Sequence, residues 1–293
     1  MGDDAGMPLS LRRLDDVQAF LEVAGSFLAE REAEHNLIFG ICSWLRGNPE
    51  LVEHEPTFLL VTDADDRVVM ASLRTPPHNQ VLSMVHDLEA VDLVADALAA
   101  DELPGVLGPK DAAARFAERW SGHTGVPVQV QVAERIFRLE RVIPPRPAAG
   151  SWRLIEPRDR DLLARWIVAF SAEAMPEDPP IPDPGAVADR WVERVGRLGY
   201  VWEDAGEVVS LVGAGGETPN GIRIGPVYTP PARRGRGYAS ALTAAASQDQ
   251  LDRGRRFLFL FTDLSNPTSN KIYQAIGYEA VCDVDQYVFG ADA

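Results

Sequence analysis

The stretch of this 293-residue chain best equipped for chemistry is Pro230-Pro-Ala-Arg-Arg-Gly-Arg-Gly-Tyr-Ala-Ser240. Gly235 and Gly237 allow successive backbone N–H groups to turn into one concavity. Tyr238, Ala239 and Ser240 then lead into Ala241 to Leu251, an alanine-rich run at helical spacing. A helix beginning there sets the positive end of its dipole behind the turn, so phosphate oxygens can be held by backbone amides. Arg233, Arg234 and Arg236 add formal charge at the same place. A plain tight turn with solvated arginines uses the same residues; arginine clustered at one turn of an acidic protein favours anion binding. No lysine and Ser/Thr pair follows the glycines, which argues against a P-loop nucleotide hydrolase.

A second segment, Asp263-Leu-Ser-Asn-Pro-Thr-Ser-Asn-Lys-Ile-Tyr-Gln-Ala-Ile-Gly-Tyr278, follows the strand-like run Arg256 to Thr262. Asn266 before Pro267 reads as a helix cap with proline at the first helical position. Tyr273 falls about two turns in, on the face where Asn266 points. Both residues have a packing or capping explanation as well as a chemical one. Acids able to act as a base are Glu173, Glu177 and Asp178, at the exit of a helix from about Asp159, and Asp263 after its strand. Each could equally be a solvated or turn-capping acid, and the four stay open. All five histidines precede residue 143, so the second half has no histidine base, Ser-His-Asp triad or histidine metal site of its own. Cys282 has no local partner, which argues against a covalent acyl-cysteine.

The elements that must position these groups divide at Ile143-Pro-Pro-Arg-Pro-Ala-Ala-Gly150, whose prolines disfavour helix and central strand. Domains are expected at 1–143 and 151–293, with 144–150 as a Pro-rich linker. Before the linker, helical spacing covers Leu14 to Ala33 and Leu37 to Trp44, and strands are expected at Thr57 to Thr62, Arg67 to Leu73 and Gln80 to Val85. Helix Leu88 to Ala99, strand Gly105 to Leu107, helix Lys110 to Trp120 and strand Val126 to Leu139 complete that half. After it come strand Trp152 to Ile155, the helix to Ala174, a helix from Ala186 to Leu198, a hairpin turning at Asp204-Ala-Gly206, and strand Ile222 to Thr229. The shared order of elements points to an internal duplication. In the first half the place of the arginine-glycine turn is taken by His86-Asp-Leu-Glu-Ala90, where Asp87 and Glu89 suit helix capping and would repel a phosphate.

Composition narrows the classes. The chain is 46% hydrophobic and 25% charged, with a formal net charge of -16. That acidity opposes binding to nucleic acid or an anionic membrane, and suits a cationic small molecule as well as simple solubility. No apolar run approaches a membrane span, and the N-terminus lacks a signal peptide pattern, so a cytoplasmic protein is expected. Cys42 and Cys282 match no metal or redox spacing and read as free thiols.

Arg234-x-x-Gly237-x-Ala239, after a strand ending in a proline-marked turn and before a helix, resembles the coenzyme-A pyrophosphate loop of the GNAT superfamily of N-acetyltransferases. The Asn266 to Tyr278 segment resembles its second signature. The resemblance implies an α/β (α+β) fold of tandem GNAT-like domains, each a mixed, mostly antiparallel sheet flanked by helices. The first domain would be degenerate and lack the cofactor loop, serving to cover the catalytic domain, shape its acceptor pocket or mediate a homodimer. It further implies acetyl-coenzyme A as co-substrate, with Val227, Tyr228 and Thr229 along the pantetheine arm. Arg234, Gly235, Arg236, Gly237, Tyr238, Ala239 and Ser240 would hold the pyrophosphate, and Asn266 would contact the coenzyme. Tyr273 is implied as the acid that protonates the departing thiolate, while the base stays open among Glu173, Glu177, Asp178 and Asp263. The expected activity is direct acetyl transfer to a primary amine of a small molecule or peptide. A non-catalytic coenzyme-A-binding regulator or scaffold, and an aminoacyl transferase of the tandem type, are the alternatives.

Overall fold

The computed structural model describes residues 8–175 and 180–290. In the first half, β1 (Ser10–Leu14) precedes α1 (Val17–Glu30), α2 (Asn36–Gly47), β2 (Thr57–Thr62), β3 (Val68–Arg74) and β4 (Gln80–Leu82). Helix α3 (Glu89–Ala97), β5 (Gly105–Pro109), α4 (Lys110–Thr124) and β6 (Val128–Leu139) follow. The second half opens with β7 (Ser151–Leu154), α5 (Arg160–Ala174), α6 (Pro184–Val192), β8 (Arg197–Asp204) and β9 (Glu207–Glu217). It continues with β10 (Gly221–Tyr228), α7 (Tyr238–Asp252), β11 (Phe257–Asp263), α8 (Pro267–Ala275) and β12 (Glu279–Phe289). Strand and helix types come in the same order in both halves, as a duplicated unit requires.

Two sequence expectations shift. The first strand, β1, was not expected, because Ser-Leu-Arg-Arg-Leu lacks an apolar alternation; it forms by pairing antiparallel with β2. The helix expected to reach Leu198 stops at Val192, and the chain turns through Arg194 (φ 62°) and Gly196 (φ 64°) so that Arg197 starts β8. The spacing of Val192, Val195 and Leu198 continued the helical pattern, but Gly196 breaks it.

By contacts, the chain forms two compact units. The first runs to Phe137 and takes in Phe261–Asn266 and the chain from Ala280; the second comprises Arg138–Leu260 and Pro267–Glu279. The last strand, β12, therefore sits in the first unit, where it pairs antiparallel with β5 from Val284↔Pro109 to Val288↔Gly105. A division at 144–150 gives that strand to the second domain, since local composition carries no information about which distant strand will pair with it.

The first unit orders its strands β1-β2-β3-β4-β5-β12-β6. Both faces of the sheet are covered, which is why β2 reads as a continuous apolar run. Phe58 and Leu60 pack with Phe20, Leu28, Ile38 and Cys42, while Leu59 and Val61 pack with Val91, Val94, Phe116 and Trp120. His35 is spent here structurally: its Nδ1 lies 2.9 Å from the Leu28 carbonyl, and its Nε2 accepts the Met84 N–H at 3.0 Å. The second unit orders its strands β11-β10-β9-β8-β7. One face packs Val201, Leu211 and Tyr228 against Leu163, Ile167 and Trp191 of α5 and α6. The other faces α7, where the Tyr200 hydroxyl donates to Asp249 at 2.6 Å. The Pro-rich segment lies against this unit: the Trp202 indole N–H donates to the Ala149 carbonyl at 2.7 Å.

Candidate active site

Strand β10 keeps its antiparallel partner β9 along its length, with a register irregularity between Ile224 and Val227. Its parallel pairing with β11 covers only Gly221–Arg223 against Phe257–Phe259. Beyond Arg223 the edge facing β11 carries no ladder, leaving Val227 and Tyr228 on a strand that has parted from its neighbour. An extended ligand can add hydrogen bonds to such an edge.

After β10 the chain makes one short turn at Pro231–Arg233 and enters the glycine loop, with Gly235 at φ 76° and Gly237 at φ 82°. Both lie in the left-handed region that side chains disfavour. Gly237 is the N-cap of α7 and supplies no side-chain cap. Among the described residues, none accepts a hydrogen bond from the backbone N–H groups of Gly235 to Ser240; the first spent amide is Ala241, bonded to the Gly237 carbonyl at 2.9 Å. The Tyr238 ring is buried, its hydroxyl donating to Asp204. The loop thus presents consecutive unspent donors at a helix start, the arrangement that binds phosphate.

The arginines divide. Arg233 pairs with Glu207. Arg234 donates through Nε to the Thr229 carbonyl at 2.8 Å and through its other arm to Glu173. Arg236 is exposed and makes no ion pair among the described residues. Glu173 also accepts from the Tyr228 hydroxyl at 3.4 Å. Burial, and then the neighbouring Glu173 charge, push the Tyr228 phenol up from its ordinary range. The sequence reading counted Tyr228 for its backbone alone; its position before a proline-marked turn did not reveal that its hydroxyl and Arg234 converge on one carboxylate. Thr229 is buried, its hydroxyl 2.8 Å from that of Ser210.

The remaining candidates separate by environment. Asp263 accepts from both the backbone N–H and the hydroxyl of Ser265 at 2.7 Å, the work of a turn-capping acid. Asn266 stands before α8, its N–H donating to the Asp263 carbonyl at 3.0 Å. Glu177 and Asp178 lie outside the described residues. Tyr273 is buried on α8, edge-on to Tyr278 with ring centroids 6.0 Å apart. Burial pushes its hydroxyl up to about 12, against a hydrogen bond with Ser269 that lowers it. The phenol stays protonated at neutral pH, as a proton donor must. Both cysteines are free, and burial pushes each thiol up to about 12, so neither is a ready nucleophile.

Residues 163–278 match the acetyltransferase (GNAT) family. No curated protein matches the chain by sequence. Among solved structures, a Drosophila protein is similar over 97% of this chain and 99% of its own, at 16% identity and a TM-score of 0.68. A GCN5-related N-acetyltransferase from Sphaerobacter thermophilus covers 97% of both chains at 18% identity and a TM-score of 0.59. A tandem GNAT protein from the clavulanic acid biosynthesis pathway covers 97% of this chain and 98% of its own, at 14% identity and a TM-score of 0.55. These likenesses concern the fold, and they extend across both halves. Residues 163–278 are thus similar to the GNAT acetyltransferases, and both halves of the chain are GNAT-like in fold.

Proposed function

We propose that the protein transfers an acetyl group from acetyl-coenzyme A directly to a primary amine, using one donor site in the second unit. The unspent N–H groups of Gly235 to Ser240 carry this reading, since consecutive backbone donors left without a protein acceptor at the start of a helix form a site for a phosphate. When bound, acetyl-coenzyme A supplies a thioester carbonyl for an amine to attack. The loop Arg234 to Ser240 holds the pyrophosphate, and the free edge at Val227 to Thr229 takes the pantetheine arm. Tyr273 holds the proton that the thiolate receives. Glu173, already bonded to Tyr228 and Arg234, is the better base candidate than Asp263, whose oxygens are committed to Ser265. A pyrophosphate that competes for Arg234 releases Glu173 from that guanidinium.

A cytoplasmic location goes with this reading, and among the described residues no helix is long and apolar enough to cross a membrane. The net charge of -16 disfavours charged tRNA as a partner and so the aminoacyl-transferase alternative. Isothermal titration of the full chain with coenzyme A should show one site per chain, and acetyl-coenzyme A with a panel of primary amines should release free thiol. Binding without amine-dependent thiol release would replace the enzyme with a coenzyme-A-binding module; two sites, or none, would overturn the donor assignment.

A further inference from the structure

One pair of arginines in the second unit is not absorbed by the donor site. Arg197, the first residue of β8, stands opposite Gly215 of β9, and Gly215 stands opposite Arg223 of β10. Residues directly opposed on antiparallel strands point to the same face, so both arginines share a face across a residue with no side chain. Arg197 uses that gap: a Cβ at position 215 would come 3.2 Å from its Nε and 3.3 Å from its Cβ. Its guanidinium lies over the Trp191 ring, 4.8 Å from the centroid.

This face leads to the point where β10 parts from β11. Gly199 and Gly213 are the next opposed pair on it, and the Trp191 indole covers both: added Cβ atoms would come 3.1 Å and 2.9 Å from its ring. A Cβ at Gly213 would also come 2.7 Å from the Gly225 carbonyl, and Arg223 is the last β10 residue paired to β11. The arginine pair and the indole therefore border the opening of the two strands.

A guanidinium held in a partly buried row without a carboxylate partner is unfavourable unless something anionic visits it. Among the described residues no carboxylate pairs with Arg197, in a protein with 44 acids and 28 bases. Burial, and then the like charge of Arg223, pull the Arg197 guanidinium down to about 10, which leaves it cationic at neutral pH. A planar fork beside an indole is suited to an oxyanion approaching along the sheet.

We propose that Arg197, with Arg223 beside it, binds an oxyanion on the acceptor, so that the acceptor is an amine also carrying a carboxylate or a phosphate. This rests on the acetyltransferase reading above. The test is thiol release from acetyl-coenzyme A by the full chain with glycine, β-alanine, L-glutamate and O-phosphoethanolamine. Glycinamide, β-alaninamide and ethanolamine serve as matched neutral amines.

The expected result is kcat/KM about 10-fold or more higher for a carboxylate- or phosphate-bearing amine than for its neutral match, and which of the two leads identifies the oxyanion. Arg197→Gln should raise KM for that amine about 10- to 100-fold, with kcat/KM for the neutral amine and coenzyme-A affinity unchanged, and Arg197→Lys should restore part of the loss. Equal use of charged and neutral amines, or equal losses for both in Arg197→Gln with coenzyme-A affinity intact, would overturn the proposal. Should wild type bind no coenzyme A, the transferase reading itself fails. The arginine site is then read without donor: N-acetylglycine or inorganic phosphate should raise the wild-type thermal midpoint and not that of Arg197→Gln, and no difference would sink it.

Discussion

The two halves of the chain build the same succession of elements but treat one turn oppositely. After β10 the loop places Gly235 and Gly237 at positive φ and leaves the amides of residues 235–240 unspent. After β4, the corresponding turn spends its amides at once: the Asp87 carboxylate accepts the Glu89 N–H at 2.9 Å, and Ala90 N–H goes to the Asp87 carbonyl at 3.2 Å. A helix start can therefore serve an anion or serve itself, and one capping acid decides which. Nearby, a cavity of about 800 Å³ is lined by Met84, His86, Lys110, Asp111 and the Arg135–Asp283 pair, so the first unit has open space beside this turn although the turn carries no glycine. A second difference lies on the last helices: counted from the first helical residue, the seventh of α8 is Tyr273 and the seventh of α4 is Phe116, both buried.

The strongest way to break this contrast is Gly237→Glu, which puts a side chain at φ 82° and a carboxylate where the pyrophosphate would lie. Titration should show coenzyme-A affinity lower on the order of 100-fold or more, and unchanged affinity would remove the loop from the donor site. Next, Tyr273→Phe converts the α8 position into its α4 counterpart, and kcat should fall about 10- to 100-fold with little change in coenzyme affinity. Because its hydroxyl is held at about 12, the wild-type rate should rise with pH as the amine loses its proton and show no descending limb from Tyr273 up to about pH 10. An unchanged turnover in the variant would leave Tyr273 a packing residue.

On the first-unit side, Asp87→Ala removes the cap and should cost about 1 kcal/mol in unfolding experiments while leaving coenzyme-A binding untouched. The smallest effect concerns His35, which burial, against its Leu28 carbonyl bond, holds below its ordinary pKa. The folded ring is neutral where the unfolded ring takes up a proton, so its contribution is full above about pH 6.5 and is lost as pH falls below that value. The thermal midpoint should therefore drop between pH 7 and 5, and His35→Gln should flatten that slope.

Much of the glycine loop was legible because its parts are adjacent in the chain. Glycine at two positions, proline before them and alanines after them specify a turn into a helix whatever surrounds them. The Asp87 cap was readable for the same reason. Less was legible where partners are distant. Arg197 and Arg223 are 26 positions apart and become neighbours only through the registers of three strands, with Gly215 between them. The role of Glu173 depended on the approach of Arg234 from a separate loop.

Short-range chemistry thus wrote the glycine loop, the helix starts and the repeated order of strands and helices, because backbone freedom and apolar spacing act within a few residues. Long-range pairing chose the rest: β12 completes the first unit's sheet, Arg234 meets Glu173, and two arginines align across a glycine. Those choices belong to the folded chain because hydrogen-bond register and charge partners are set only when strands far apart in sequence come together.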